Sequence, residues 1–121
     1  MPVNHSSSYS PEEIGKLIER AIKMVLDDQG TEADLTPLRW EISSIEQITI
    51  EGFHPEGRAH RDAISLCAAW ASVLHLNQTS TSGQSYRTWN GHLGQWTIGL
   101  FAVSNPAAYR REYPEDAGFD L

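Results

Sequence analysis

The chain has 121 residues, a net charge of −7 and a single cysteine. This length supports one domain with its own core, and a lone cysteine excludes an internal disulfide. No apolar run reaches the roughly 18–20 residues that cross a bilayer, and residues 1–10 lack the basic and apolar regions of a signal peptide. We therefore expect a soluble cytoplasmic protein without a membrane partner.

The negative charge is concentrated in the first half of the chain. Residues 1–57 contain eleven acidic and four basic residues, whereas residues 58–121 contain five of each. Direct binding of nucleic acid requires a basic surface that displaces counterions, so we expect none. The acidic half leaves two interpretations open. It is either a solvated face that aids solubility or, over residues 12–56, a mimic of nucleic acid presented to a basic protein.

A flexible arm over residues 1–9 is expected to precede the first helix. Ser10 can cap this helix, Pro11 suits its first position and Glu13 can complete a capping box. Gly30 is the expected C-terminal stop. The apolar residues between these ends recur at spacings of three and four, which predicts a single buried stripe. They are Ile14, Leu17, Ile18, Ala21, Ile22, Val25 and Leu26.

Two alternating segments predict strands, and a helix follows them. Residues 38–42 and 48–51 each alternate apolar with polar side chains, which indicates half-buried strands. From about residue 58 the apolar period returns to 3.6. This second helix carries no charge beyond Asp62 and is apolar or small on nearly every side. Such a helix is typically buried on more than one face.

Asn90-Gly91 between two strand-like runs predicts a β-hairpin, because a type I′ turn needs positive φ at both central residues. This turn would place Trp89 opposite His92. The second strand of the hairpin, which runs to Val103, is apolar on both faces, and that pattern is typical of a central strand.

The predicted order is α-β-β-α-β-β, closed by a short helical turn over residues 107–113. We expect a single α+β domain over residues 10–113, in which one antiparallel sheet is covered on one face by both helices. Residues 114–121 form an acidic tail.

Residues 45–103 also carry a resemblance to a group of small proteins. The segment has a short strand ending in Ile50-Glu51-Gly52 and, after a loop, a strand that contains tryptophan. Between them lies a helix with the sequence Ala68-Ala69-Trp70-Ala71-Ser72-Val73-Leu74-His75-Leu76. In these features the chain is similar to small accessory proteins of actinobacteria and their phages. The resemblance implies a bacterial or phage accessory protein and assigns no residue roles.

Candidate catalytic and metal sites are few. His54, Glu56 and His60 are the most metal-like group, but their spacing matches no metal motif, and we interpret both histidines as surface residues. Cys67 lies at helical spacing among apolar residues, where a thiol behaves as a small hydrophobic group. Nucleophile elbows, phosphate loops and dinucleotide fingerprints are absent from the sequence. We therefore assign no catalytic residue, metal or cofactor and expect a non-enzymatic protein.

The hairpin contains the residues that we predict to bind a partner. Aromatic and arginine side chains anchor protein interfaces, and the centre of an interface is poor in charge. Residues 63–109 contain one charged residue, Arg87, and three of the four tryptophans. The predicted contact residues are Trp89, Arg87, Tyr86 and His92.

The sequence thus predicts a small interaction protein, a bacterial or phage accessory or regulatory factor. It would bind a protein partner or itself through its uncharged, tryptophan-containing half. A homodimer would supply the cover that this half needs, because most soluble oligomers are symmetric homo-oligomers. Two alternatives stay open. One is the acidic mimic, and the other is a small-molecule-binding α+β cup lined by Tyr86, Trp89, Trp96 and His92.

Overall fold

The computed structural model describes residues 9–44, 46–81 and 83–116. The helices are α1 (Pro11–Glu32), α2 (Ala63–Leu74) and α3 (Pro106–Glu112), followed by a 3-10 turn at Pro114–Asp116. The strands are β1 (Arg39–Ser43), β2 (Thr49–Phe53), β3 (Asn77–Gln78), β4 (Tyr86–Leu93) and β5 (Trp96–Val103). The predicted α+β class is confirmed. Most of the predicted arm and tail lies outside the described residues, and within the described part no helix is long and apolar enough to span a membrane.

The five strands form one mixed sheet in the order β1-β2-β5-β4-β3. Most neighbours are antiparallel, but β2 and β5 run parallel. The prediction of a wholly antiparallel sheet is therefore wrong at the centre. Parallel neighbours need a crossover of a dozen or more residues, and the chain from β2 to β5 provides one because it passes through α2, β3 and β4. The predicted order α-β-β-α-β-β lacks the short strand β3, which lies between α2 and β4.

The β4–β5 hairpin turns at a later position than predicted. Leu93 pairs with Trp96, so the two-residue turn is Gly94-Gln95, while Asn90-Gly91 lies inside β4. Gly94 has a φ of 59° and Gln95 has no positive φ, which is the pattern of a type II′ turn. Both candidate turns give the same alternation of faces along the two strands. The hydrophobic pattern therefore could not choose between them.

The N-terminus of α1 is formed as predicted, but its C-terminal end is not. The Ser10 hydroxyl accepts the backbone N–H of Glu13, and the Glu13 carboxylate accepts that of Ser10, which completes the capping box. The helix continues through Gly30 to Glu32. A Cβ at Gly30 would lie 2.4 Å from the ring of Trp70. Glycine is therefore needed there for contact with α2 rather than as a helix stop.

The core lies between the helices and one face of the sheet. α2 packs on β2, β4 and β5, while α1 packs on α2 and β1. Trp40 and Trp70 meet edge to face with ring centroids 5.3 Å apart, and the Trp70 indole N–H donates to the Thr36 carbonyl at 2.8 Å. The central buried residues are Ile22, Leu26, Trp40, Ile50, Cys67, Trp70, Trp89, Ile98 and Leu100.

The opposite face of the sheet, which we call the open face, is largely polar. Cross-strand pairing places Glu41 beside Glu51 and Thr49 beside Thr97 on this face. At one end an aromatic cluster covers the face, and α3 contributes to it. The cluster consists of Tyr86, Phe101, Tyr109 and Tyr113.

Candidate functional site

The four residues predicted to bind a partner do not share one surface. Trp89 is 5% exposed and packs in the core. It lies with Arg87 on the helix-covered side of β4, whereas Tyr86 and His92 belong to the open face. The later turn explains the separation of Trp89 from His92, because both residues now lie within β4 on opposite faces and Trp89 pairs with Leu100. The Trp89 side chain is therefore not available on the surface of one copy of the chain.

Tyr86 has a structural role in the aromatic cluster. Its ring stacks on Phe101 at 5.7 Å between centroids and meets Tyr113 edge on at 6.0 Å. The Gln84 side-chain amide donates to the Tyr86 hydroxyl at 3.0 Å. A hydrogen bond with Tyr86 also raises the pKa of the Tyr113 hydroxyl. These contacts anchor the chain after β5 to the sheet.

The small-molecule cup that the sequence suggested is not formed by its predicted lining. Trp89 and Trp96 lie on the helix-covered face, and Tyr86 and His92 lie on the open face, so the sheet separates the two pairs.

The two histidines near the start of α2 are stacked, not scattered on the surface. The rings of His54 and His60 lie 4.0 Å apart and 11° from parallel, and His54 is buried. The Nδ1 atom of His54 accepts the Glu56 N–H at 3.0 Å, and that of His60 accepts the Asp62 N–H at 3.1 Å. Burial, and then the nearby His60, lowers the pKa of His54. The stacked rings and these hydrogen bonds therefore hold the loop between β2 and α2 in place.

The histidine pair and Cys67 are the sequence's candidates for metal binding and nucleophilic chemistry. Both Nδ1 atoms of the histidine pair are already engaged by backbone N–H groups. Across residues 9–44, 46–81 and 83–116, no group of three or more His, Cys, Asp or Glu side chains is placed to hold a metal ion. Cys67 is fully buried, and burial raises the pKa of its thiol to about 12. A thiolate nucleophile is therefore strongly disfavoured.

A depression of about 700 Å³ lies at the end of the open face near β1 and β2, and Arg58 lies along it. The Arg58 Nη2 atom is 3.7 Å from a carboxylate oxygen of Glu41 and 3.7 Å from one of Glu51. Its guanidinium stacks 3.9 Å from the ring centroid of Phe53. Like charges directly across a sheet are destabilising, and Arg58 offsets the repulsion between the two glutamates. We therefore interpret the depression as a structural site that holds the Arg58 side chain against Phe53 and the two glutamates.

The apolar residues of α1 form two faces, not the single buried stripe that the sequence predicted. Ile22 and Leu26 are buried and Ile18 is half-buried against the core. The other large apolar side chains of the helix face solvent. They are Ile14 (46% exposed), Leu17 (44%), Met24 (63%) and Val25 (50%). The apolar arc of the helix is wider than the contact that α2 and β1 offer, so part of it stays uncovered.

The exposed face has the spacing of a helix-binding seam. Ile14, Leu17, Ala21 and Met24 alternate spacings of three and four, as the a and d positions of a coiled coil do. At 100° per residue, the centre of this seam lies roughly 140° around the helix from the buried residues. We call Ile14, Leu17, Ala21, Met24 and Val25 the α1 stripe. All five are exposed.

The α1 stripe continues into a shallow groove at the N-terminal end of the helix. This groove has a volume of about 560 Å³ and lies between α1 and the end of β1, where Ser44 approaches Glu19 at 3.5 Å. Pro11, Ile14 and Ile18 contribute its apolar lining. Sequence reasoning missed this surface because it assigned the whole arc to the core. The three-four spacing through Met24 is the signal that could have found it.

The comparisons with known proteins return no relative: the chain matches no protein-family model, no curated protein and no solved structure.

Proposed function

We propose that the chain is a small non-enzymatic interaction protein that binds a protein partner, or a second copy of itself, through the α1 stripe. The observation that supports this proposal is the exposure of four large apolar side chains along one face of a single helix. Single exposed apolar residues are ordinary on a protein surface, whereas a contiguous apolar patch marks an interaction site.

The kind of contact follows from the shape of the surface. A helix face that repeats with a spacing of three and four residues packs best against another helix, since each side chain then fits between four side chains of the partner. Amphipathic helices bind in this way, with anchors one and two turns apart. These features support a binding surface on α1 rather than on the hairpin that the sequence favoured, where Trp89 is buried.

The test compares two variants that each add one negative charge to α1. Met24→Glu places the charge in the α1 stripe, and Gln29→Glu, at another exposed position of the helix, is the matched control. Burying an unpaired charge in a contact is strongly unfavourable. We expect Met24→Glu to abolish association and Gln29→Glu to leave it close to wild type.

Association is measured in two ways with the full chain. Light scattering reports self-association, and affinity capture from a lysate of the source organism reports a different protein partner. Because Met24 is exposed, both variants should unfold at nearly the wild-type temperature. The proposal is wrong if the wild type is monomeric and captures nothing that Met24→Glu does not capture as well.

A further inference from the structure

The outer edge of the sheet at β1 offers a second binding surface, which goes beyond the α1 stripe. β1 ends the strand order, so in the described part of the chain no strand lies on its side away from β2. We propose that this edge takes up an extended segment of a different protein as an additional strand. The segment would carry a basic residue opposite Glu41, with an apolar residue on either side of it. Sheets bind extended peptides in this way when an edge strand offers unpaired backbone groups.

The hydrogen bonds of β2 show which backbone groups of β1 are unpaired. The Thr97 N–H donates to the Ile48 carbonyl at 3.1 Å, in the parallel pairing of β5 with β2. Alternate residues from Ile48 onwards therefore turn their backbone groups to β5, and the residues between them turn theirs to β1. In β1, Glu41 lies opposite one of these intermediate residues and bonds to β2. The N–H and C=O groups of its neighbours Trp40 and Ile42 consequently point away from the sheet.

We call these four backbone groups the free edge. Among the described residues, no hydrogen bond outside the sheet involves the backbone of Trp40 or Ile42. Bulges and prolines commonly blunt an edge strand, but β1 contains no proline and pairs without a bulge over its five residues. The free edge therefore presents two donors and two acceptors in the regular arrangement that an extended backbone matches.

One flank of α1 lies on the side of the free edge. The opposite flank meets α2, because a Cβ at Gly30 would touch the ring of Trp70, and α2 packs on the inner strands β2, β4 and β5. The outer flank, as we call Ile14, Ile18 and Val25, lies roughly 120–160° around the helix from that contact, beyond the buried residues. Ile14 is 46% exposed and Val25 is 50% exposed. A strand added to β1 would therefore lie beneath apolar side chains, which favours apolar residues on its helix-covered side.

The charges of the open face specify the basic residue. Glu41 and Glu51 lie side by side, and both share the Arg58 guanidinium at 3.7 Å. The three groups together carry one excess negative charge, and the side chain of Glu41 is 61% exposed. In an antiparallel pairing, the residue opposite Glu41 belongs to a pair without mutual hydrogen bonds, in which side chains approach most closely. A lysine or arginine at that position would pair with Glu41.

A second copy of this chain does not fit the free edge. Joining the β1 strands of two copies would set them about 4.8 Å apart. Each α1 packs on its own β1 and approaches the end of that strand, where the Ser44 hydroxyl lies 3.5 Å from the Glu19 carboxylate. Packed helices need about 8–10 Å between their axes, so the two α1 helices would overlap. An extended segment without a helix on that side has room beneath the outer flank.

The first test is hydrogen exchange of the full chain, measured by NMR. In the free chain we expect the backbone amides of Trp40 and Ile42 to exchange faster than that of Glu41, which bonds to β2. The probe is a blocked peptide with the sequence threonine-valine-lysine-valine-threonine, at up to about 5 mM because ordering a short peptide offsets much of its contact energy. The peptide should slow exchange at Trp40 and Ile42 several-fold. No change at these two amides would overturn the proposal.

Methylated peptides test the pairing itself. Backbone N–H groups alternate along a strand, so only one set can donate to the free edge. In an antiparallel pairing this set belongs to the valines, and in a parallel pairing it belongs to the lysine. We therefore expect N-methylation of either the valines or the lysine to weaken binding at least tenfold, and N-methylation of the other set to change it less than threefold. Equal losses, or no loss from either, would show that the peptide does not bind as a strand and would contradict the proposal.

The basic residue is tested with two variants that each remove one carboxylate charge. Glu41→Gln keeps the shape of the side chain and should weaken the lysine peptide roughly threefold. Glu46→Gln, at an exposed position between β1 and β2, is the matched control and should bind the peptide like the wild type. Equal affinities of the two variants would refute the pairing of the basic residue with Glu41.

The outcomes separate this inference from the proposed function. Met24 lies roughly 80–120° around the helix from the outer flank, so Met24→Glu should bind the peptide normally while losing association through the α1 stripe. If it loses both, the peptide binds the α1 stripe and this inference is wrong. If the peptide protects Trp40 and Ile42 but no association depends on Met24, this inference stands and the proposed function is wrong. Self-association that the peptide displaces would place a second copy on the free edge and overturn the choice of a different protein.

Discussion

Leu17 and Leu26 offer a matched comparison on one helix. Leu26 is 1% exposed and belongs to the buried face of α1, whereas Leu17 is 44% exposed and belongs to the α1 stripe. Replacement of either by alanine removes the same three carbon atoms. The two variants therefore lose the same chemical groups and differ only in how much of the protein surrounds the deleted atoms.

The expected costs follow from burial. Removing three fully buried carbons costs about 2.4 kcal/mol of transfer free energy, at about 0.8 kcal/mol for each, and the cavity adds more. For Leu26→Ala we expect the free energy of unfolding to fall by about 3 kcal/mol. Leu17 loses only about half of that transfer term and leaves no closed cavity, so Leu17→Ala should cost about 1 kcal/mol.

The assay is urea unfolding followed by tryptophan fluorescence, which reports on the buried Trp40, Trp70 and Trp89. It is carried out at a low protein concentration, so that any dimer is dissociated and only the stability of one copy is measured. If Leu17→Ala and Leu26→Ala cost the same under these conditions, Leu17 is buried within a single copy. The assignment of the α1 stripe to the surface would then be refuted.

Three further predictions concern the remainder of the fold. Gly94→Ala should destabilise the chain by about 1 kcal/mol because Gly94 has a positive φ, and Gly94→Asn should cost less. If the wild type and both variants melt at the same temperature, the assigned turn is wrong. The pKa of His54 is lowered below its usual 6.5, so the unfolded chain binds more protons in the window below that pH and stability should fall as the pH drops through it. His54→Asn, which keeps an acceptor for the Glu56 N–H but does not titrate, should lose less of its melting temperature between about pH 7 and 5, and an unchanged loss would show that another group is responsible. Cys67 should react with a thiol reagent only after unfolding, and rapid reaction of the native chain would contradict its burial.

Local chemistry made the start of α1 predictable. A serine, a proline and a glutamate at Ser10, Pro11 and Glu13 satisfy the backbone N–H groups of a helix end whatever the remainder of the chain does. The alternation of apolar and polar residues likewise predicted the positions of β1 and β2. These signals depend on neighbours in sequence, and for that reason a single chain contains enough information to read them.

Long-range packing was not predictable in the same way. The apolar period of β5 is the same whether its neighbour β2 is parallel or antiparallel, and Gly30 reads as a helix stop unless the position of Trp70 is known. The apolar arc of α1 was visible, but how much of it the domain covers depends on the reach of α2 and β1. The candidate site was therefore hidden among residues assigned to the core, while buried Trp89 was placed on the surface.

The most direct measurement of the central claim is the oxidation rate of Met24 in the wild-type chain. Met24 is 63% exposed in a single copy, so its thioether should be oxidised readily by dilute peroxide when nothing covers the α1 stripe. We expect mass spectrometry to show rapid conversion to the sulfoxide in the free chain at about 1 µM protein, and clear protection once a second copy, at about 100 µM, or a captured protein covers the α1 stripe. Added free methionine reports the dose of oxidant. A rate that stays fast at every concentration, and in the presence of every protein that the chain captures, would show that nothing covers the α1 stripe and would contradict the account.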